Sequence, residues 1–367
     1  MRSPLLPLYA TRAAATADRC AQLRTDTASR AHLSARAAVT RALRAVFDAR
    51  GHLEVDTPLL QVRAAPDPRQ PFRVLSRHLD PDTFLRASPL HLRAMLTAGF
   101  EKVYEIGRTF RDEPADATHA VEYTLVEAYA AHTDFTDTRA LVRDLVHAAA
   151  RAAGGTTRLR LPHAADTIDL ANPWPTATVH DAVGGVLGRP VVPDIEADEL
   201  RQAAADHDVP VRAVDADGLV QELYDALVEP ATGAPVFYTH FPASASPLAE
   251  ACPRDRRLAH KWDLVIGGRE IATSYSELTD PDELRRHLAP RRGASDEAHT
   301  LDEAWLRAFA GGMPPTAAGL CIGLERLVMT LTGAPALTDT IPFPLTPPQI
   351  GGLACTVPNP NRPHPQA

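Results

Sequence analysis

Lysine is almost missing from this sequence: of its 38 basic residues, only Lys102 and Lys261 are lysines. The shortage extends over the whole chain, which indicates a coding bias toward arginine. It has a chemical consequence, because a chain without Gly-Lys-Ser or Gly-Lys-Thr cannot form a P-loop. The formal net charge is −8. No global positive field therefore recruits nucleic acid, although a local basic patch for tRNA remains open.

Cysteines and long apolar runs are also scarce. The four cysteines, Cys20, Cys252, Cys321 and Cys355, include no C-x-x-C pair. This argues against a zinc site or a disulfide framework and fits a reducing cytoplasm. No run of about 18 apolar residues is present, so no membrane span is predicted. The N-terminal PLLPLYA is too short and too interrupted by proline for a secretory signal.

The remaining composition is that of a soluble globular protein, with 45% apolar and 23% charged residues. Its 367 residues allow one large domain or two ordinary ones. We expect a cytoplasmic protein.

The stretch from Phe100 to Phe135 organises the chain. Its first arm, 103–110, is rich in β-branched and aromatic residues, and the loop 111–120 carries acidic residues and proline that suit a turn. In the second arm, 122–129, strand periodicity places Tyr123, Leu125, Glu127 and Tyr129 on one face. Two phenols and a carboxylate on one face are typical of a pocket wall. The plain alternative is a β-hairpin with a charged turn.

This stretch resembles motif 2 of the class II aminoacyl-tRNA synthetases, and the lysyl branch fits best. The residues that carry the resemblance are F-R-D-E, a loop, and H-x-x-E-Y-T-L-x-E-x-Y. An amphipathic helix predicted over 31–50, followed by R-G-x-x-E-V-x-T-P, resembles motif 1. The segment GLCIGLERLVMTLTG, residues 319–333, resembles motif 3, with Cys321 in place of the usual first glycine.

The resemblance implies a fold class and a domain organisation. The expected fold is α+β, an antiparallel sheet flanked by helices, and motif 1 implies a homodimer through residues near Pro58. The catalytic domain is predicted over 31–345, with a small helical insertion at about 175–235. Residues 1–30 are predicted as a tail with a short helical part and residues 346–367 as a disordered tail. No N-terminal anticodon-binding barrel is expected before motif 1.

The resemblance also implies an ATP site with Arg111 and Arg326 as the catalytic residues. Arg111 is expected to hold the α-phosphate and the substrate carboxylate, while Arg326 and His119 hold the γ-phosphate. Tyr123 is expected to stack on adenine, opposite Arg326, and Glu113 to read the adenine edge. Asp263 and Glu270 correspond to the acidic residues that hold Mg²⁺ in the family, and a few carboxylate oxygens are ligands that Mg²⁺ prefers.

At the positions expected to bind the substrate, some residues match the family pattern and others differ from it. Glu127, Tyr129 and Glu277 match the residues that surround the side-chain ammonium of lysine, and two buried acids need a cationic partner. In contrast, the glutamate that follows proline in the family's LR-x-[AS]-P-E segment is missing after Pro89. The family's Gly-Asn is replaced by Ala272 and Thr273, which are expected to contact the substrate, with Ala272 crowding the space beside its α-carbon. The alanine resembles the ligase that attaches β-lysine to elongation factor P.

These observations predict a ligase that activates lysine or a lysine-like diamino acid with an altered α-end as an aminoacyl-adenylate, with ATP and Mg²⁺. The acceptor is left open between a tRNA, a protein lysine as in elongation factor P, and a small amine or carrier. The alternative is a non-catalytic synthetase paralogue that binds a ligand and regulates a partner. The intact phosphate contacts favour the ligase.

Overall fold

The computed structural model describes residues 6–62, 70–79, 83–161, 167–288 and 303–345, with side chains from residue 16 onward. The predicted tail 346–367 lies outside the described residues. The α-helices are α1 (Leu6–Thr25), α2 (Thr27–Ala49), α3 (Leu90–Ala94), α4 (Thr138–Gly154), α5 (Val179–Leu187), α6 (Ala197–Asp206), α7 (Ala216–Leu223), α8 (Pro281–Leu288), α9 (Glu303–Ala310) and α10 (Leu324–Thr332). The strands are β1 (Leu53–Glu54), β2 (Leu60–Gln61), β3 (Phe84–Leu85), β4 (Lys102–Phe110), β5 (Glu122–Ala131), β6 (Arg158–Arg160), β7 (Thr167–Asp169), β8 (Thr176–Thr178), β9 (Val236–Thr239), β10 (Lys261–Val265), β11 (Glu270–Ser276) and β12 (Ala317–Gly323).

An eight-stranded sheet forms the body, in the order β1-β4-β5-β12-β11-β10-β9-β8. The central pairs are antiparallel, whereas the two edge pairs, β1 with β4 and β8 with β9, are parallel. Both parallel pairs are joined by long connections that contain helices, as parallel pairing requires. The predicted α+β architecture is confirmed, and its sheet is mixed at the edges.

The predicted motif 2 hairpin is present as β4 and β5. These strands pair antiparallel from Lys102 opposite Ala130 to Phe110 opposite Glu122. The backbone continues the pairing beyond the strands, because Arg111 N–H donates to Val121 O at 2.9 Å. The loop between them therefore starts from a fixed base, and Arg111 is held at the end of the sheet.

The two faces of the sheet differ in character. Alternate residues of the central strands, such as Val126, Trp262 and Ile322, pack in the main core with apolar residues of α2, α4 and α10. In α2 these are Val39, Leu43 and Phe47, four residues apart as one helix face requires. The intervening residues of the same strands face the opposite side, where the cavity described below opens.

The first helix pair begins earlier than the sequence pattern predicts. α2 starts at Thr27 rather than near residue 31, because the Asp26 side chain caps it by accepting from Ala28 N–H. α1 extends over most of the segment predicted as a tail. Its Arg19 side chain donates to the carbonyl oxygens of Ile341 and Pro342 at 3.0 Å each, which ties α1 to the end of the described chain.

The region predicted as a helical insertion contains α5, α6 and α7, followed by a π-helical turn, Tyr224–Val228. These elements enclose an apolar cluster of their own, which meets the sheet through Tyr238 and Val265. The motif 1 segment that follows α2 forms only short strands: β1 has two residues, and β2 starts after Pro58. None of the helices in the described ranges is long and apolar enough to cross a membrane.

A buried carboxylate joins three of the elements that carry the motifs. Glu325, in the first turn of α10, is 1% exposed. It accepts from Thr124 N–H of β5 at 2.9 Å and pairs with Arg36 of α2 at 2.8 Å. Because Arg326 is the next residue, this contact also fixes the position on α10 from which the Arg326 side chain extends.

Replacing Arg36 by alanine is expected to lower the free energy of unfolding by about 3 kcal/mol, since it leaves the Glu325 carboxylate buried without its cation. Arg256→Ala is the control, because the Arg256 side chain is 69% exposed in its pair with Glu283 and such pairs contribute about 0–1 kcal/mol. Urea denaturation measures both. Equal effects of the two substitutions would show that the Glu325 pair has no special structural role.

Candidate active site

A cavity of about 290 Å³ opens on the sheet face that α2, α4 and α10 leave uncovered. This is near the lower end of the range for small-molecule sites. Its walls come from β5, β11 and β12, from the ends of β4 and β10, and from the loop 245–249. The lining residues include Ser88, Leu90, Arg111, Leu125, Glu127, Tyr129, Lys261, Glu270, Thr273, Tyr275, Gly319 and Cys321.

The strand register orders the cavity residues in rows. Glu127, Cys321, Thr273 and Asp263 are successive partners across β5, β12, β11 and β10. The next row on this face, farther from the motif 2 loop, begins with Tyr129. Successive rows on one face lie about 7 Å apart. The sheet thus places the motif 2 loop at one end of the cavity and the tyrosine row at the other.

Arg111 marks the open end of the cavity. Its guanidinium carbon lies 5.2 Å from the centroid of the Tyr123 ring, a cation–π distance. Tyr123 is half-buried and is not among the lining residues, and neither is Glu113, which lies in the motif 2 loop. A flat cation stacked on a phenol can present its N–H groups to phosphate or carboxylate.

Arg326 lies near this end and is held by the motif 2 loop. One of its nitrogens is 3.0 Å from His119 Nε2, and another donates to Glu270 O at 3.4 Å. The other ring nitrogen of His119 is 2.9 Å from the Asp116 carboxylate. The structure therefore brings the two predicted γ-phosphate residues together. Arg326 lies in the first turn of α10, where the helix dipole also favours anions.

The inner wall is acidic and phenolic. Glu127 is 5% exposed and accepts a hydrogen bond from Tyr129 Oη at 3.2 Å. Burial raises the pKa of Tyr129 well above its usual value, and the nearby charge of Glu127 adds to the rise. Burial likewise raises the pKa of Tyr275, which lines the cavity from β11. Both phenols therefore stay neutral and can orient a cation beside Glu127.

Glu277 lies behind this wall and is not among the lining residues. It is 2% exposed and forms an ion pair with Arg93 of α3. Arg93 is itself 1% exposed, with its guanidinium carbon 4.9 Å from the Phe309 ring centroid, and it donates to Leu278 O at 3.3 Å. Burial raises the pKa of Glu277 to about 7, although the Arg93 charge opposes the rise. The doubly acidic pocket predicted from the sequence thus already contains one cation of the chain.

The two predicted magnesium ligands come from neighbouring strands. Glu270 lines the cavity, and Asp263 is buried two residues after Lys261 on β10, with its Oδ2 3.1 Å from Lys261 Nζ. Asp263 Oδ1 is buried and has no hydrogen-bond partner among the described residues, and burial raises the pKa of this carboxyl to about 6. Within the described ranges, no group of three or more His, Cys, Asp or Glu side chains could hold a metal.

The two residues at the predicted α-end are placed on opposite sides of β11. Thr273 lines the cavity, whereas Ala272 is 1% exposed and packs in the main core. The pleat of the strand separates them, so the predicted contact between Ala272 and a substrate is not found. Cys321, the partner of Thr273 on β12, lines the cavity beside Thr273.

Several cavity residues were not predicted from the sequence as site residues. Tyr275 could have been found, because it lies midway between Thr273 and Glu277 in the period of a strand. Lys261 stood out as one of two lysines in an arginine-rich chain, but that alone assigned it no role in the site. Arg93 gave no signal, since its partner Glu277 is far away along the sequence.

Gly319→Ala is expected to displace the inner wall. A Cβ at this position would lie 2.5 Å from Glu277 Oε1 and 2.7 Å from Tyr129 Cε1. Overpacking of this kind costs about 1–3 kcal/mol of unfolding free energy, measurable by urea denaturation. Gly185→Ala is the matched control, because no atom lies within 4 Å of its added Cβ, and the helix is then expected to gain up to about 1 kcal/mol. Unchanged stability of the Gly319 variant would contradict the proposed close packing.

The raised pKa of Glu277 predicts a pH dependence of stability. Its folded-state pKa of about 7 exceeds the ordinary 4.5, so the native state binds its proton more tightly than the unfolded state does. Its contribution to stability is full below the unfolded pKa and is lost as pH rises through the folded pKa. Glu277→Gln is therefore expected to flatten the fall in unfolding free energy between these pH values, measured by urea denaturation. An identical slope in both proteins would refute the assignment.

Comparisons of this chain with family models and with curated proteins agree on one family. The model for class II tRNA synthetases (D, K and N) matches residues 12–347. The lysylphosphatidylglycerol biosynthesis bifunctional protein LysX of Rhodococcus opacus (strain B4) is 41% identical over 340 residues, which cover 90% of this chain and 30% of that protein. LysX of Mycobacterium tuberculosis (strain ATCC 25618 / H37Rv) is 40% identical over 336 residues, 87% of this chain and 28% of that protein.

A third relative, LysX of Mycobacterium avium (strain 104), is 42% identical over 329 residues, with 87% and 28% of the two chains covered. The chain thus spans less than a third of the length of these relatives. The family match covers all three motifs, both arms of the hairpin and every cavity residue named above. This chain belongs to the class II tRNA synthetases of the D, K and N group.

Proposed function

We propose that this protein activates lysine, or a closely related diamino acid, as an aminoacyl-adenylate and transfers it to an acceptor. The observation that carries the proposal is the order of charges along the sheet. The guanidinium of Arg111 lies toward the motif 2 loop, whereas Glu127 and Tyr129 lie farther along β5. A ligand with a carboxylate at one end and an ammonium at the other matches this order.

The proposed reaction forms a bond between a carboxylate oxygen of the amino acid and the α-phosphorus of ATP, while the bond to pyrophosphate breaks. Little covalent chemistry is left to the protein, which must hold the reactants in line and stabilise negative charge. Arg111 would hold the α-phosphate and the attacking carboxylate. Arg326 and His119, already 3.0 Å apart, would hold the γ-phosphate. Tyr123 would stack on adenine, and Glu113 would contact its edge.

Asp263 and Glu270 would hold Mg²⁺. They fit the ion because both supply hard oxygen donors, and because Asp263 Oδ1 is buried without a hydrogen-bond partner. Magnesium in such sites uses one or two carboxylates and takes its other ligands from phosphate and water. When bound, the ion would neutralise charge that develops on the phosphates.

The substrate class is supported from two sides. The relatives are named for lysylphosphatidylglycerol biosynthesis, and the lysyl group in that name favours lysine itself. The missing glutamate after Pro89 and the presence of Thr273 instead favour a lysine derivative with an altered α-end, such as β-lysine. In either case the distal ammonium would lie beside Glu127 and Tyr129, with Glu277 contributing from behind the wall.

The proposed acceptor is a tRNA or a protein lysine of the elongation factor P type.

The proposed assembly is a homodimer through the surface near Pro58. There Leu53, Leu59, Leu60 and Val62 are between 43% and 67% exposed, an apolar surface that a second copy would cover. Size-exclusion chromatography with light scattering measures this assembly.

Amino-acid-dependent ATP–pyrophosphate exchange tests the proposal, with lysine, both β-lysines, ornithine and hydroxylysine as substrates. Exchange with one of them is expected, and Arg111→Ala is expected to lower it by about 10²–10³-fold, because a preorganised charge contact is lost. Arg108→Ala is the control: this arginine lies in β4, three residues before Arg111, in a half-exposed pair with Glu122, 3.6 Å away.

Two results would contradict the proposal. Full exchange by the Arg111 variant would exclude the assigned role of this residue. No exchange with any of the amino acids, while ATP still binds, would instead favour the non-catalytic paralogue.

A further inference from the structure

Lys261 lies where the cavity meets the candidate metal ligands, and neither sequence nor family resemblance assigns it a role. Its Nζ is 3.1 Å from Asp263 Oδ2 and 3.9 Å from the centroid of the Phe241 ring. The side chain is 18% exposed and lines the cavity, whereas that of Asp263 is 5% exposed. The ammonium therefore sits between a buried carboxylate and the open cavity, steadied by an aromatic face.

Lys261 and a divalent cation would compete for the same carboxylate. An ammonium paired with one Asp263 oxygen reduces the charge that attracts a second cation to the other oxygen. We propose that Lys261 is a resident counter-ion of Asp263, which a divalent cation displaces, and that the displaced ammonium then pairs with an anionic phosphate of the bound nucleotide. The inference rests on the proposed ATP-dependent function for the identity of that anion, but not for the competition itself.

The type of side chain supports an exchangeable contact. The chain uses arginine almost everywhere, and its fixed buried pairs, such as Arg86 with Glu105 and Arg93 with Glu277, have guanidinium groups that are 1% exposed. A lysine instead carries a compact charge on a flexible stem with rotatable donors. Because the Lys261 side chain reaches the cavity, its ammonium can turn from Asp263 to a ligand without any change in the backbone.

Binding of Mn²⁺ in the absence of nucleotide tests the competition, with the free ion followed by electron paramagnetic resonance. Lys261→Gln is expected to bind Mn²⁺ about tenfold more tightly than the natural protein, since a charged hydrogen bond to Asp263 no longer has to be broken. With saturating Mg²⁺, the same variant is expected to bind ATP about tenfold more weakly, measured by calorimetry.

The other lysine provides the matched control. Lys102 is exposed at the start of β4, where it donates to Arg50 O at 3.4 Å, so Lys102→Gln should leave both affinities unchanged. Lys261→Arg keeps the charge and should bind Mn²⁺ no more tightly than the natural protein. Asp263→Asn in the Lys261→Gln background should abolish the gain, which locates the ion at this carboxylate.

Equal Mn²⁺ affinity in the natural protein and the Lys261→Gln variant, or no Mn²⁺ binding to either, would overturn the counter-ion role. Tighter Mn²⁺ binding with unchanged ATP affinity would overturn the transfer of the ammonium to phosphate. If the Mn²⁺ result is as expected but no amino acid supports pyrophosphate exchange, the competition is established and the proposed ligase activity fails.

Discussion

The structure depends on how its buried carboxylates are neutralised. Glu105, Glu277, Glu325 and Asp263 are each at most 5% exposed, and each is paired with a basic side chain of the same chain. A carboxylate taken out of water without such a partner costs several kcal/mol. The pairs therefore fix which elements must lie together: Glu325 joins α10 to α2 and β5, and Glu277 joins β11 to α3.

These pairs also determine the shape of the cavity. Arg93 holds Glu277 and also donates to Leu248 O at 3.4 Å, in the loop that covers the cavity. Gly319 leaves room for Glu277 and the Tyr129 ring to approach the backbone of β12. The inner wall is thus a packed layer whose charge is partly cancelled before any ligand arrives, and Glu127 is the carboxylate of this wall that lines the cavity, as Glu270 does near the candidate metal site.

Much of this arrangement could be predicted from the sequence where local rules apply. The β4–β5 hairpin followed from β-branched residues on either side of an acidic, proline-containing loop, and its pocket face followed from the period of a strand. The start of α2 was misplaced because the Asp26 cap precedes the amphipathic pattern. Ala272 was misassigned because the matching motif gives no information about which face of β11 it occupies. Arg93 could not be predicted, since an ion pair between distant segments leaves no periodic signal.

The same principle separates the fixed part of the site from its adaptable part. An arginine that is buried with its carboxylate, such as Arg86 or Arg93, does not line the cavity and acts as part of the scaffold. Lys261 differs because its side chain both pairs with Asp263 and lines the open cavity. A carboxylate with one oxygen paired and the other without a hydrogen-bond partner can change its cation at little structural cost. The chemistry proposed here thus requires that one of the four buried carboxylates that are paired with a basic side chain be held by a cation that can leave.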